Sequence, residues 1–217
     1  MINSIDLILV LILLSVLLSL GSSRLTALIK IMALQGAMVS LAPIFIESEA
    51  RLSNGGILFF QLMLLIKAIL IPGLLYMALT RIAIKREVEP LIGYHASLLA
   101  GLGLLMLSAY ITRRMGLSLP GDYALLLITA ITTTGGGLFL MMSRTKAITQ
   151  VIGYLMLENG IYLVGTALTK HTHNIYLVEF GVLLDLLAGV MIMGIILHNI
   201  NRAFDDVDTA HLEQLKD

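Results

Sequence analysis

The chain has 217 residues, of which 58% are hydrophobic and only 13% charged, and its mean hydropathy of +0.96 lies far above that of an ordinary soluble domain. Its 14 basic and 14 acidic residues cancel, and with no basic patch interleaved with aromatics nothing points to nucleic acid. The chain contains no cysteine, which excludes disulfides, thiolate metal sites, iron–sulfur clusters and thiol nucleophiles; redox chemistry belongs on other chains.

A helix needs about 20 apolar residues to cross a bilayer, and runs of that length predict an all-α, polytopic membrane protein of about seven transmembrane helices. In chain order they are Ser4–Leu20, Leu25–Ile46, Gly56–Thr80, Leu91–Ile111, Gly121–Met142, Ala147–Leu168 and Ile175–Asn199. The first lacks the positively charged start and small-residue cleavage site of a signal peptide, so it is read as a helix that stays. Connections are short, and Pro90, Gly116 and Pro120 mark helix ends. Placing the N-terminus outside puts Arg24, Lys30, Arg81, Lys85, Arg86, Arg144, Lys146, Arg202 and Lys216 on the cytoplasmic side, against Arg51, Arg113, Arg114 and Lys170 outside. The positive-inside rule therefore predicts N-out and C-in. Residues 203–217 form a polar, acidic cytoplasmic tail.

Three ionisable residues stand near the middle of separate apolar spans: Lys67, Glu158 and Asp185. A charge at the bilayer centre costs at least ~2.5–3.5 kcal/mol on insertion scales, so it calls for a partner, a hydrated cavity or an ion path. Glu158 has Tyr154 one turn before it and Tyr162 one turn after, so the phenols share its face and can bond a carboxyl or a water. Asp185, in Val182-Leu-Leu-Asp-Leu-Leu-Ala188, is too short to snorkel and must face protein or water. Lys67, in Leu64-Leu-Ile-Lys-Ala-Ile-Leu70, is a counter-ion for either acid, a separate relay group, or a snorkelling side chain. Glu179 and His198 lie toward the two ends of the last span, where a proton entrance and exit need titratable groups. The bland reading of the acids is helix-to-helix hydrogen bonding, worth about 1 kcal/mol in membranes.

Other motifs fail on context. Thr132-Thr-Thr-Gly-Gly-Gly137 lies inside an apolar span, so it is not a phosphate loop. It reads as a close-packing surface, or as a place where a helix loosens. His171-Thr-His173 offers two metal ligands without a third, and His95 suits a headgroup contact. No metal or cofactor is expected on this chain.

Ile31-Met-Ala-Leu-Gln-Gly36 resembles Leu155-Met-Leu-Glu-Asn-Gly160, which suggests two parallel three-helix units joined by one linking helix. The corresponding divisions are 1–90 for an N-terminal three-helix unit, 91–120 for a linking helix and loop, 121–202 for a C-terminal three-helix unit, and the tail.

The C-terminal unit resembles the small K-type subunit of respiratory complex I, through Val151-Ile-Gly-Tyr-Leu-Met-Leu-Glu-Asn159 and through Asp185 with Gly189 and His198. Taken whole, the chain looks like the hydrogenase-4 component E family, membrane subunits of formate hydrogenlyase-type, energy-converting nickel–iron hydrogenases. One departure is visible. With Ile152-Gly153 and Asn159 superposed on the complex I subunit, Leu155 stands where that family has glutamate and Glu158 comes three residues later. That moves the carboxylate roughly 4.5 Å along nearly the same face.

The resemblance implies a non-catalytic subunit of a membrane arm, seated in lipid beside antiporter-like subunits and a quinone-site-type membrane subunit. Peripheral nickel–iron hydrogenase and iron–sulfur subunits would be indirect partners. The buried carboxylates and Lys67 would then serve proton translocation, without a cofactor of their own. Two other expectations stay open on the residues: a structural linker whose polar groups only glue helices, and a cation/proton antiporter component or free-standing secondary transporter. The last predicts a broken helix near the middle of the membrane, for which Gly135–Gly137 is the sequence candidate.

Overall fold

The computed structural model of the chain describes residues 4–46, 61–81, 91–115, 121–168 and 188–194. These are helical apart from short turns, and six of the helices are long and apolar enough to cross a membrane, the make-up of a multi-pass membrane protein. Helix α1 spans Ser4–Gly21 and α2 Leu25–Ile46. Helix α3 has an α-helical start at residues 61–65, a π-helical middle at Ile66–Leu70 and an α-helical end at Ile71–Arg81. Helices α4, α5 and α6 cover Tyr94–Arg114, Gly121–Ser143 and Ala147–Leu168. Of the expected seventh span, residues 188–194 are helical; Glu179, Asp185, His198, His171, His173 and the tail lie outside the described residues.

Helix α4 starts and ends three residues later than expected. Gly93 is extended, with φ −55° and ψ 151°, so the helix begins at Tyr94 rather than Leu91. At the other end Arg113 and Arg114 belong to the last turn, where cations suit the negative pole of the helix dipole.

Helices α5 and α6 pack most intimately. A Cβ on Gly137 would lie 2.7 Å from the Gly153 carbonyl oxygen, and one on Gly153 would lie 2.9 Å from that of Gly137. Only hydrogen at both positions lets the two backbones approach this closely. The threonine–glycine motif thus serves packing, and α5 runs unbroken through it from Gly121 to Ser143. The expectation that the glycine triplet loosens a helix is corrected: α6 braces it, and the irregular turn is at Ile66–Leu70 of α3 instead. Helix α4 is pinned to α5 by a 2.7 Å hydrogen bond between the Ser108 and Thr132 hydroxyls.

Buried apolar side chains form two clusters, one toward each end of the bundle. Val16 and Leu20 of α1, Leu25 to Met32 of α2, Ile71 to Leu79 of α3 and Ile148 to Met156 of α6 meet in the first, joined by Ala188 and Ile192. Ile5 to Ile12 of α1, Met38 to Ala42 of α2, Leu126 and Ala130 of α5 and Leu163 and Ala167 of α6 meet in the second. Between them, in chain order along each helix, fall Ser15, Gln35, Thr133, Glu158 and Asn159, all buried. Two greasy ends and a polar middle layer result. At the first-cluster end, Arg144 is wholly buried and clamps three helix ends. It donates to the Leu20 carbonyl at 2.8 Å and the Ile92 carbonyl at 3.3 Å, with its guanidinium 5.3 Å from the Tyr94 ring centroid.

Candidate functional site

The polar layer contains two kinds of side chain. Its hydroxyls bond within their own helices: Ser15 donates to the Ile12 carbonyl at 2.6 Å and Thr133 to the Thr129 carbonyl at 2.7 Å. Such back-bonding lets a hydroxyl sit in an apolar interior without an external partner. Lys67, Glu158 and Asn159 reach between helices instead.

Lys67 of α3 and Glu158 of α6 form an ion pair, with the Lys67 Nζ donating to Glu158 Oε1. Their side chains are 4% and 1% exposed. Lys67 also donates to Asn159 Oδ1 at 3.4 Å, and its ammonium lies 5.9 Å from the centroid of the Tyr162 ring. Of the alternatives open for Lys67 on sequence, the structure selects a buried counter-ion over a snorkelling side chain. Glu158 is the twelfth of the 22 residues of α6, so the pair sits at mid-helix. Tyr154, the other flanking phenol, packs against the first apolar cluster.

Two backbone features set Lys67 in place. The Ile71 N–H bonds to the Ile66 carbonyl, five residues back, so the turn carrying Lys67 is wider than an α turn. Pro72 follows at once. It supplies no N–H to the turn behind it, and its ring would crowd the carbonyl four residues earlier in a regular helix. The second feature is Gly36 of α2. A Cβ there would lie 2.8 Å from the Lys67 carbonyl oxygen and 3.1 Å from the Lys67 Cβ, so α2 and α3 touch at backbone distance beside the pair. A cavity of about 10 Å³ opens at the same place, lined by Met32, Gly36, Lys67, Pro72, Glu158 and Asn159 among others, room for a single water.

The chemistry available is that of a paired acid and ammonium beside a water-sized space, shielded by apolar clusters above and below. Among the described residues no group of three His, Cys, Asp or Glu could hold a metal. The sequence singled out Lys67, Glu158 and Tyr162, and the structure gathers them. It did not single out Asn159, Gly36 or Pro72. Gly36 was visible only as a repeat position, Asn159 as a repeat position and an anchor of the resemblance to the K-type subunit, and Pro72 carried its helix-breaking signal five residues from Lys67.

No family model matches the chain, and no solved structure matches it. It is 32% identical over 197 residues to the "Uncharacterized protein Rv0085" of Mycobacterium tuberculosis, a match covering 89% of this chain and 87% of that protein. At that identity and coverage, the chain belongs to the same family as the Mycobacterium tuberculosis protein.

Proposed function

We propose that this chain is a non-catalytic membrane-arm subunit of an energy-converting hydrogenase or related complex, of the hydrogenase-4 component E type, and that Lys67 and Glu158 belong to its proton-translocation path. The observation that carries the proposal is the ion pair itself: a lysine and a glutamate joined inside a helix bundle, at a widened helical turn and beside room for a water. Ionisable residues within membrane spans mark ion and proton pathways by default, and π-helical turns are frequent at functional sites. The proposed setting is the cytoplasmic membrane with the N-terminus outside, next to antiporter-like and quinone-site-type membrane subunits.

A change of charge or hydration imposed by a neighbouring subunit would separate the pair. Glu158 would then take up a proton, and re-pairing with Lys67 would expel it. Raising a proton against the membrane potential costs about 2.3 kcal/mol per 100 mV, which the peripheral subunits would supply through their redox reaction. Asp185, Glu179 and His198 are proposed to continue the path.

The test is the complex purified through a tag on this chain. Its partners are identified by mass spectrometry, and proton movement is measured after reconstitution into vesicles. Antiporter-like and nickel–iron subunits are expected, and Glu158→Gln is expected to uncouple hydrogen turnover from proton movement. Unchanged proton movement in a fully assembled Glu158→Gln complex sinks the path. The widened turn beside an acid also suits a cation/proton exchanger, and recovery of this chain without partners would favour that.

A further inference from the structure

The two carboxamides of the polar layer are bonded differently from its hydroxyls. Gln35 is 1% exposed, yet neither its Nε2 nor its Oε1 has a hydrogen-bond partner among the described residues. Asn159 is also 1% exposed; its Oδ1 receives Lys67 while its Nδ2 has no partner there. Leaving a buried amide group unsatisfied costs about 1–3 kcal/mol, so three such atoms in one layer point to a polar occupant between α2 and α6.

The cavity supplies the place. Met32 and Gly36 line it from α2, and Glu158 and Asn159 from α6. Gln35 does not itself line it; buried three residues after Met32 and one before Gly36, it stands about 80° around α2 from the middle of the face those two present. A water there needs two to four polar partners. The Asn159 amide can donate to it, the Gln35 amide can donate and accept, and the ion pair closes the ring. The Ser15 and Thr133 hydroxyls donate to their own helices, so toward a water they can only accept.

We propose that Gln35 and Asn159 are positioning residues that hold ordered water against the Lys67–Glu158 pair, and that this water is the step by which a proton enters or leaves Glu158. The amides do not themselves transfer the proton; they fix the water that does. The inference rests on the proton-path reading of the pair and names the ligand of that site as water.

Apolar substitution separates this from a merely structural role. Removing an unsatisfied amide from a dry interior is neutral or stabilising, whereas removing a water's anchor harms transfer. The assembled complex is reconstituted with Gln35→Leu, Asn159→Leu, the conservative Gln35→Asn, and Glu158→Gln. Each leucine variant is expected to slow coupled proton movement about tenfold, equivalent to ~1.4 kcal/mol of barrier, with partial recovery in Gln35→Asn. An infrared band of weakly bonded water that shifts in H2(18)O is expected in the parent complex and absent from both leucine variants. Silent Glu158→Gln overturns the path and this inference together. Impaired Glu158→Gln with full-speed leucine variants, or an unchanged water band, overturns the inference alone and leaves the path standing.

Discussion

Because the Lys67 and Glu158 side chains are 4% and 1% exposed, removing either partner should strand a charge in the bundle. Breaking a buried pair from one side costs about 3–5 kcal/mol, while replacing both partners by apolar side chains of similar volume is often neutral or stabilising. Lys67→Met and Glu158→Leu are therefore expected to destabilise by about 3–5 kcal/mol each, and the double variant by ~1 kcal/mol or less. The coupling energy then cancels most of the sum of the two single effects. Unfolding of the purified chain in mixed micelles, titrated with dodecyl sulfate and followed by circular dichroism, reads all four corners of the cycle. Additive single effects, each below ~1 kcal/mol, would refute the reasoning: the pair would then be hydrated enough that neither ion depends on the other. The double variant should also lose proton movement while keeping its fold, which separates stability from function at one site.

Glycine contacts give a second contrast. A Cβ on Gly36 would meet the Lys67 backbone at 2.8 Å, whereas one on Gly73 would meet nothing within 4 Å. Gly36→Ala should cost about 1–3 kcal/mol and Gly73→Ala should stabilise by up to ~1 kcal/mol, read as opposite shifts in thermal midpoint. Arg144→Met removes the bonds to the Leu20 and Ile92 carbonyls and should cost about 3 kcal/mol, with faster proteolysis at the ends of α1 and α4. Ser108→Ala deletes one interhelical bond and should change unfolding by only about 0.6 kcal/mol, the usual worth of such bonds in membranes.

Hydropathy alone placed the six described helices, because their length and apolar content are what crossing a membrane requires. It misplaced the ends of α4, where backbone conformation at Gly93 and the dipole preference of Arg113 and Arg114 decide, and neither changes mean hydropathy. Lys67 and Glu158 were conspicuous as charges, but their pairing was not, since it joins residues 91 positions apart. Gln35 and Asn159 were less visible still. An uncharged amide lowers hydropathy as a carboxylate does but carries no charge that calls for a partner, and its significance depends on which groups surround it in three dimensions. The layered interior was in fact written in the chain, as polar residues near mid-helix in α1, α2, α5 and α6, once the helices are aligned by depth.

The widened turn at Ile66–Leu70 has two candidate causes, and they can be pulled apart. Pro72 lacks the N–H that would close the turn behind it, and proline inside a helix disfavours regular geometry by about 3 kcal/mol. The ion pair and the contact with Gly36 hold the turn from outside. A proline acts on the turn whatever lies opposite; the pair acts only while both ions are present. If proline dominates, Pro72→Ala lets residues 66–70 regain α geometry, and one residue fewer per widened turn rotates Lys67 by about 100° relative to the end of α3. The Lys67–Glu158 coupling energy measured in that background should then fall by more than half. Coupling undiminished in Pro72→Ala would show that tertiary contacts alone maintain the turn. The proline is expected to dominate, because its steric conflict is covalent and local, while the ammonium on its four-carbon stem could reach Glu158 from more than one backbone geometry.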